Sequence, residues 1–351
     1  AETSYEIVRW KRLYTEIAEV KGPYEQKKLW RVFAVWAILK GIHLPSWVEF
    51  QETPSRRIKG RFDKLNKIRK FKESIPDWLD LIGLEELGEN QWGKELASLN
   101  EMAPVIIRAN TLKTNVKELK RTLIKEEVLT EEINGHPDAL KLKERTNLFL
   151  KDSFQNGLYE VQDASSQLVA PFLKINPGMK ICDICAGAGG KTLHLSALSQ
   201  NKGQIIAMDI YNNKLIELKR RAKRNGAFNI ETKAIANNKS FKRLYGKIDR
   251  LLIDSPCSGL GVLKRNPDSK WKLNSDFIET IKNTQQEILQ KYAPLINNNG
   301  KLVYATCSIL PSENEIQIEN FLKSDVGMKF KKEDEKKISP SESGFDGFYM
   351  A

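Results

Sequence analysis

Cysteine and histidine are scarce in this chain, four and three among 351 residues. So few thiols exclude a disulfide framework and suit a reducing compartment, so a cytoplasmic location is expected. Three scattered histidines and the lack of a second close cysteine pair argue against zinc, and no metal is expected. Long apolar runs are missing too. No stretch reaches the ~18 apolar residues of a membrane span, which removes the membrane as an expected partner. The N-terminus lacks the basic-then-apolar pattern of a secretory signal, and there is no internal repeat. Acidic charge is the minority: 57 Lys and Arg face 45 Asp and Glu, a net charge of +12. That excess suits a polyanion such as nucleic acid, although a solvated lysine-rich coat would also produce it.

What is present falls into three textures. Residues 1–102 read as a helical N-terminal region. Ile7, Trp10, Leu13/Tyr14 and Ile17 recur at helical spacing, as do Leu29, Val32/Phe33, Trp36 and Leu39. Six of the seven tryptophans lie here and read as its core. Between positions 56 and 72, nine Lys/Arg stand against one acid, Asp63. A solvated face and a phosphate-contacting face explain that run about equally. Ser74-Ile-Pro-Asp-Trp78 marks a helix start. Residues 103–160 read as a small α+β module: a strand at 105–110, a helix at 114–126, and strands at 129–133 and 139–142 around an Asn134-Gly135 turn. Such a mixed sheet is a common RNA platform, and equally a support for the domain that follows.

Residues 161–351 alternate strand and helix. Short apolar runs at 179–185, 204–210, 230–236, 248–254 and 300–306 read as strands; 193–198, 213–225, 276–296 and 312–322 read as helices. The last opens on Ser312-Glu-Asn-Glu315, the pattern of a capping box. This rhythm predicts an α/β domain with a parallel sheet covered on both faces. The charged stretch 329–337 is expected to be exposed.

Asp183-Ile-Cys-Ala-Gly187-Ala-Gly189-Gly190-Lys191-Thr192 follows the first of these strands and opens a helix. Small residues let a ligand approach the backbone, and a helix N-terminus favours negative charge. Three cofactor classes compete for it. A dinucleotide loop needs Gly where Thr192 stands, and a phosphate loop needs Gly where Cys185 stands. The phosphate-loop failure is narrow, because Gly190-Lys-Thr192 and Leu251-Leu-Ile-Asp254 resemble the two nucleotide motifs of an ATPase. The third class, S-adenosylmethionine, calls for an acid at the end of the second strand, and Asp209 stands there. Cys182 and Cys185 have C-x-x-C spacing, but successive strand side chains point to opposite faces, so the two should diverge; Cys182 reads as core.

Two further cysteines each follow a predicted strand: Cys257 in Asp254-Ser-Pro-Cys257-Ser-Gly-Leu-Gly261, and Cys307 in Thr306-Cys307-Ser308. Ligands of doubly wound sheets collect beyond the carboxyl ends of strands, so both thiols should face one crevice. A lone cysteine is usually a small buried residue; two in such places point to nucleophilic chemistry. Carbon 5 of a pyrimidine is a poor nucleophile until a thiolate adds to carbon 6 and an acid at N3 stabilises the developing charge. Asp254, Cys257, Cys307 and Lys191 supply the residue types for that reaction.

At these residues the chain resembles the Nop/Sun family of RNA cytosine-5 methyltransferases, including the bacterial RsmB type. The segments that carry the resemblance are 254–268 with Lys270-Trp271, Ala305-Thr-Cys-Ser-Ile309 with Glu313-Asn-Glu315, Gln162-Asp-Ala-Ser-Ser166 and Asp346-Gly-Phe-Tyr-Met350. It covers residues 103–351, and 73–102 are similar to the linker region of bacterial members. It implies a Rossmann-like class I methyltransferase sheet and S-adenosylmethionine as cofactor, bound by Cys185, Ala186, Gly187, Ala188, Gly189, Gly190, Lys191 and Asp209. It implies Cys307 as the nucleophile on carbon 6, Cys257 as the aid to adduct breakdown, Asp254 at the cytosine and in reach of the cofactor, and Lys191 beside cofactor or base. Two positions depart from the family. Ala188 stands where proline is usual, and Asn237, with Asn238 beside it, stands where an Asp usually meets the adenine. The expected partner is RNA, ribosomal RNA first, with a monomeric protein. Its phosphates would be held by Arg56, Arg57, Lys59, Arg61, the basic run 219–224, Lys264 and Arg265, and the target base must leave its stack. The alternatives are an RNA-binding assembly factor with an idle site and, further off, an ATPase.

Overall fold

A computed structural model describes residues 2–51, 53–236 and 239–351. They divide into two compact units, one of residues up to 102 with 263–277, the other of 103–262 with 278–351. Among the described residues no helix is long and apolar enough to cross a membrane.

The first unit is helical: Glu2–Arg9, Lys11–Ile17, Gln26–Leu39, Ser55–Leu65 and Asp77–Leu99. Leu13, Ile17, Val32, Val35, Ile38 and Ile58 form its core. The inward stripe of Gln26–Leu39 is rotated from the expected one, and Leu29 is exposed. The tryptophans fill the core less than expected. Trp92 is fully buried, in space that any side chain at Gly83 would occupy, and its indole N–H donates to Asp80 at 2.9 Å. Trp47 is exposed and packs with Trp30 and Phe50 instead. Residues 263–277, read from sequence as part of the C-terminal domain, belong to this unit. Trp271 donates to the Val8 carbonyl at 2.7 Å and Lys270 to that of Arg9 at 2.9 Å.

The second unit holds two sheets. Strands β1 (Ile106–Ala109), β2 (Thr130–Ile133), β3 (His136–Leu142) and β4 (Tyr159–Val161) form an antiparallel sheet in the order β2-β3-β1-β4. Helix Val116–Lys125 sets Leu119 and Leu123 against it and is capped by Asn115, whose side chain accepts from Glu118 N at 3.0 Å. The three-residue β4 has no sequence signal of its own; Ala109 and Tyr159 pair in its register.

The larger sheet contains β5 (Lys180–Ile184), β6 (Gln204–Asp209), β7 (Ile230–Ala234), β8 (Ile248–Asp254), β9 (Ile296–Thr306), β10 (Lys336–Ile338) and β11 (Phe348–Met350), in the order β10-β11-β9-β8-β5-β6-β7. β9, β8, β5, β6 and β7 pair in parallel; β10 and β11 add an antiparallel edge. This is the Rossmann-like methyltransferase arrangement expected from the sequence. The order reverses at β5, and its crevice lies beyond the carboxyl ends of β5, β6, β8 and β9. Apolar side chains bury both faces: Cys182, Ile184, Ile206, Leu251 and Tyr304 on one, Ile181, Ile205, Leu252 and Val303 on the other.

Lys336 and Lys337 are exposed, as expected of the charged stretch 329–337, and with Ile338 they form edge strand β10. Two expectations change here. The helix expected to reach 296 ends at Tyr292, and β9 begins at Ile296. The capping box does not form. Pro311–Glu313 is a 3-10 turn, helix Glu315–Leu322 follows, and its N-cap Asn314 makes no side-chain cap. Its side chain joins Thr306 and Ser308 instead.

Candidate active site

The loop after β5 is shaped by its backbone. Cys185 adopts φ +63°, Gly187 +55° and Gly189 +85°, all in the left-handed region. At Gly189 a Cβ would lie 2.4 Å from Leu218 Cγ, so only glycine fits against helix Asn212–Asn225. Arg221 donates to the Ala188 carbonyl at 2.7 Å. Without the usual proline at 188, this bond and the two glycines hold the turn. β5 ends at Ile184, so strand alternation does not govern Cys185. Its positive φ turns it against the apolar cluster that contains Cys182. The two do not diverge as expected, yet both serve packing, and burial pushes both thiols up. No metal-binding group of three or more His, Cys, Asp or Glu occurs among the described residues.

Asp209 closes the loop from β6. Its Oδ2 accepts from Gly187 N and its Oδ1 from Tyr211 N, both at 2.8 Å. Each oxygen retains a lone pair for a ligand hydroxyl. Asp183 is fully buried; Oδ2 accepts from Thr192 Oγ1 at 2.6 Å, and Oδ1 has no partner. Burial raises this carboxyl from 3.8 to about 7. Thr192 is thus turned into the protein and cannot serve a phosphate-bound metal ion, which removes the ATPase reading of Gly190-Lys-Thr192. Backbone N–H groups of the loop, an orphaned buried carboxylate oxygen and an acid at the end of β6 fit a cofactor with a cationic amino acid part and a ribose. Asn237 and Asn238 lie outside the described residues.

The thiols meet as anticipated. Cys257 Sγ and Cys307 Sγ are 3.4 Å apart. Gly261 and Gly347 make this possible. Gly261 N donates to the Cys307 carbonyl at 2.9 Å and Gly347 N to the Gly261 carbonyl at 2.8 Å. A Cβ on Gly261 would sit 2.4 Å from Gly347 O. Beside them Lys191 Nζ donates to Asp254 Oδ2 at 2.7 Å and lies 5.1 Å from the Phe348 ring centre. Burial alone would lower the Lys191 pKa; Asp254, aided by Cys307 and Asp183, outweighs it and holds the ammonium above its ordinary range. The hydrogen bond to Cys307, then burial, pushes the Cys257 thiol well up. Of the pair, Cys257 is therefore held toward its protonated form.

Sequence reading missed the scaffold beneath. Glu313 is fully buried. Its Oε1 accepts from Ser258 Oγ and Ser308 Oγ, each at 2.5 Å; its Oε2 accepts from Ser258 N at 2.8 Å and Gln285 Nε2 at 3.0 Å. Both serines directly follow a thiol. Glu313 lies inside the Ser312-to-Glu315 string without being either of its capping residues, and only the fold reveals its partners.

The basic residues separate by exposure. Arg56, Arg57 and Lys59 are exposed on helix Ser55–Leu65. Arg61 instead donates to the Ile17 carbonyl at 2.9 Å and pairs with Glu19 at 2.5 Å. Lys264 is 2% exposed, so the surface role expected of it does not hold; Arg265 is half-buried. Lys219, Arg220 and Lys223 are exposed, whereas Arg221 and Arg224 pair with Glu160.

The family model for 16S rRNA methyltransferase RsmB/F matches residues 170–351, and one for an RsmF/B-like ferredoxin-like domain matches 75–148. A probable ribosomal RNA small subunit methyltransferase B from Synechocystis sp. is 39% identical over 71% of this chain and 56% of its own length. The crystal structure of PH0851 superimposes with a TM-score of 0.81 at 27% identity, covering 100% of this chain and 88% of that one. A methyltransferase homolog protein from Pyrococcus horikoshii gives 0.68 at 25% identity, covering 82% and 97%. The chain spans 56–65% of the length of the first curated relatives it matches.

Proposed function

Because this chain belongs to the 16S rRNA methyltransferase RsmB/F family, we propose that it methylates carbon 5 of a cytosine in ribosomal RNA through a covalent bond from Cys307 to carbon 6. The observation that carries the reading is the pair of thiols 3.4 Å apart beside the Lys191–Asp254 ion pair. The family is S-adenosylmethionine-dependent, and that cofactor supplies an electrophilic methyl group when bound. The loop 185–191, Asp183 and Asp209 would hold it.

The chain's own residues do the rest. Cys307 adds to carbon 6 as a thiolate. Asp254 meets the N3 edge of the base, and Lys191 supplies it with a proton, so the charge developing on the ring is neutralised. Carbon 5 becomes enamine-like and can accept a methyl group. Loss of the carbon 5 proton to a base then expels the Cys307 sulfur. Cys257, kept protonated, donates its S–H to the departing thiolate and so favours release. Of the basic residues singled out in the sequence, Arg56, Arg57, Lys59, Lys219, Arg220 and Lys223 are exposed and available to phosphates.

The test is incubation of the protein with labelled S-adenosylmethionine and ribosomal RNA. Wild type should yield labelled 5-methylcytosine, Cys307→Ala none, and Cys257→Ala an RNA–protein adduct that survives denaturing gels. Label from Cys307→Ala at the wild-type rate would overturn the nucleophile assignment.

A further inference from the structure

We propose that Glu313 is a positioning residue whose buried carboxylate sets the spacing of the two thiols by holding the serine that follows each of them. Cys257 lies on the loop after β8 and Cys307 on the loop after β9, fifty residues apart in the chain. The β8–β9 ladder ends at Asp254 and Ala305, and beyond it Gly261 N donates to the Cys307 carbonyl at 2.9 Å, which fixes main chain at one thiol but holds no bond at Cys257 itself. The bridge beneath them is made by side chains. Ser258 and Ser308 hydroxyls stand 3.2 Å apart, and both donate to Glu313 Oε1 at 2.5 Å. Glu313 Oε2 takes the Ser258 backbone N–H at 2.8 Å, which fixes the main chain next to Cys257 itself. Gln285 ties the same carboxylate to the Cys257 loop a second time. Its Nε2 reaches Glu313 Oε2 and the Pro256 carbonyl, each at 3.0 Å.

The Cys307 side is anchored by the neighbouring Asn314. Thr306 Oγ1 donates to Asn314 Oδ1 at 2.5 Å, and Asn314 Nδ2 donates to the Ser308 carbonyl at 3.1 Å. Tyr304, one turn of β9 earlier, donates its hydroxyl to the Glu313 carbonyl at 2.8 Å. Each loop is therefore fixed to residues 313–314, in addition to the direct bond from Gly261 N to the Cys307 carbonyl at 2.9 Å. A carboxylate suits the junction because it is all acceptor and four donors converge on it. Charge-assisted hydrogen bonds in a dry interior are short and stiff.

The consequence for the thiols is geometric. A serine held at the next residue leaves each cysteine only its own χ1 freedom, so the sulfurs remain at hydrogen-bond distance. A residue so placed acts through the cysteines and touches no substrate. Its amide analogue retains the bridge. In Glu313→Gln the NH2 group can face the two hydroxyls, which rotate to accept, while the remaining oxygen takes the two N–H donors.

The primary test needs no RNA, so it is independent of the proposed reaction. The full chain is treated with diamide, whose azo group takes up the two hydrogens lost as the thiols join. Closure of the Cys257–Cys307 disulfide is followed by mass spectrometry of the linked peptides. Glu313→Ala should close more slowly by about ten- to a hundredfold, the scale on which an ångström of misplacement acts. Glu313→Gln should close near the wild-type rate, and Ser258→Ala/Ser308→Ala should fall between. Wild-type closure in a folded Glu313→Ala overturns the proposal. Should Glu313→Ala fail to fold, the double serine variant decides, and wild-type closure there overturns it equally. A second readout rests on the reaction proposed above. If Cys257→Ala traps an RNA adduct, Glu313→Ala should also accumulate one, whereas general loss of structure would diminish adduct formation. If no variant traps an adduct while diamide closure still depends on Glu313, the reaction has failed and the positioning role stands.

Discussion

Cys182 lies within β5 and Cys185 just past its end; Cys257 and Cys307 lie past the ends of β8 and β9. All four are free thiols attached to one sheet. The first pair is surrounded by Ile184, Ile206, Met208, Leu251 and Ile253, and burial keeps both of its members protonated. The second is surrounded by hydroxyls, a lysine and two carboxyl groups, and its members bond to each other. Spacing in the chain is therefore a poor guide to thiol chemistry. Cysteines three residues apart share only packing, and cysteines fifty residues apart share a hydrogen bond.

The contrast can be broken in order of expected effect. Cys307→Ala should cost methyl transfer on the order of a thousandfold or more, since removal of a nucleophile eliminates a covalent route. The measurement is labelled-methyl incorporation, and Cys182→Ala should leave the rate unchanged. Gly261→Ala comes next, because its Cβ must enter backbone 2.4 Å away at Gly347 O and 2.8 Å away at Cys307 O. Overpacking of that kind costs about 1–3 kcal/mol. Urea melts should register the loss, and Cys257–Cys307 disulfide closure should slow with it.

The β5 end offers a pH test. The Asp183 pKa is raised from 3.8 to about 7 by burial. A carboxyl with a higher pKa folded than unfolded contributes stability that is full below 3.8 and lost as pH rises through about 7. Melting temperature should therefore carry a falling component across that window, and Asp183→Asn should flatten it. An unchanged pH profile in the variant would place the cause elsewhere. The smallest effect is Cys182→Ser, which puts a hydroxyl in a fully apolar site and should cost about 1–3 kcal/mol of stability. Thermal melts would detect it, with methyl transfer intact at permissive temperature.

Much of this was legible because the signals are local. Continuous apolar runs marked β5, β6 and β8, whose faces are both buried, and the small residues at 186–190 announced a close backbone approach. The thiols were legible as strand-end residues. What sequence hid depends on partners distant in the chain. Strand β10 is Lys336–Ile338, two lysines and an isoleucine, and it is a strand only because β11 offers an edge. Lys264 reads as a surface cation and is buried. Glu313 reads as an ordinary charged residue before a helix and instead joins two loops, because its four partners lie on Ser258, Ser308 and Gln285. The direction of Cys185 depended on one positive φ, which a non-glycine residue rarely adopts.

The antiparallel edge also governs the order of events during synthesis. β11 is made after β10 yet lies between it and β9. Until residues 348–350 leave the ribosome, β9 has a bare flank and β10 has nothing to pair with. An unpaired strand is a template for wrong partners. The nascent chain thus carries β9 with one flank unpaired until β11 slots in, when Ala351 and Tyr304 exchange hydrogen bonds at 2.9 and 3.0 Å. A ribosome stalled just short of that point would display a sheet with an open seam, which a chaperone, or a second nascent copy, could occupy.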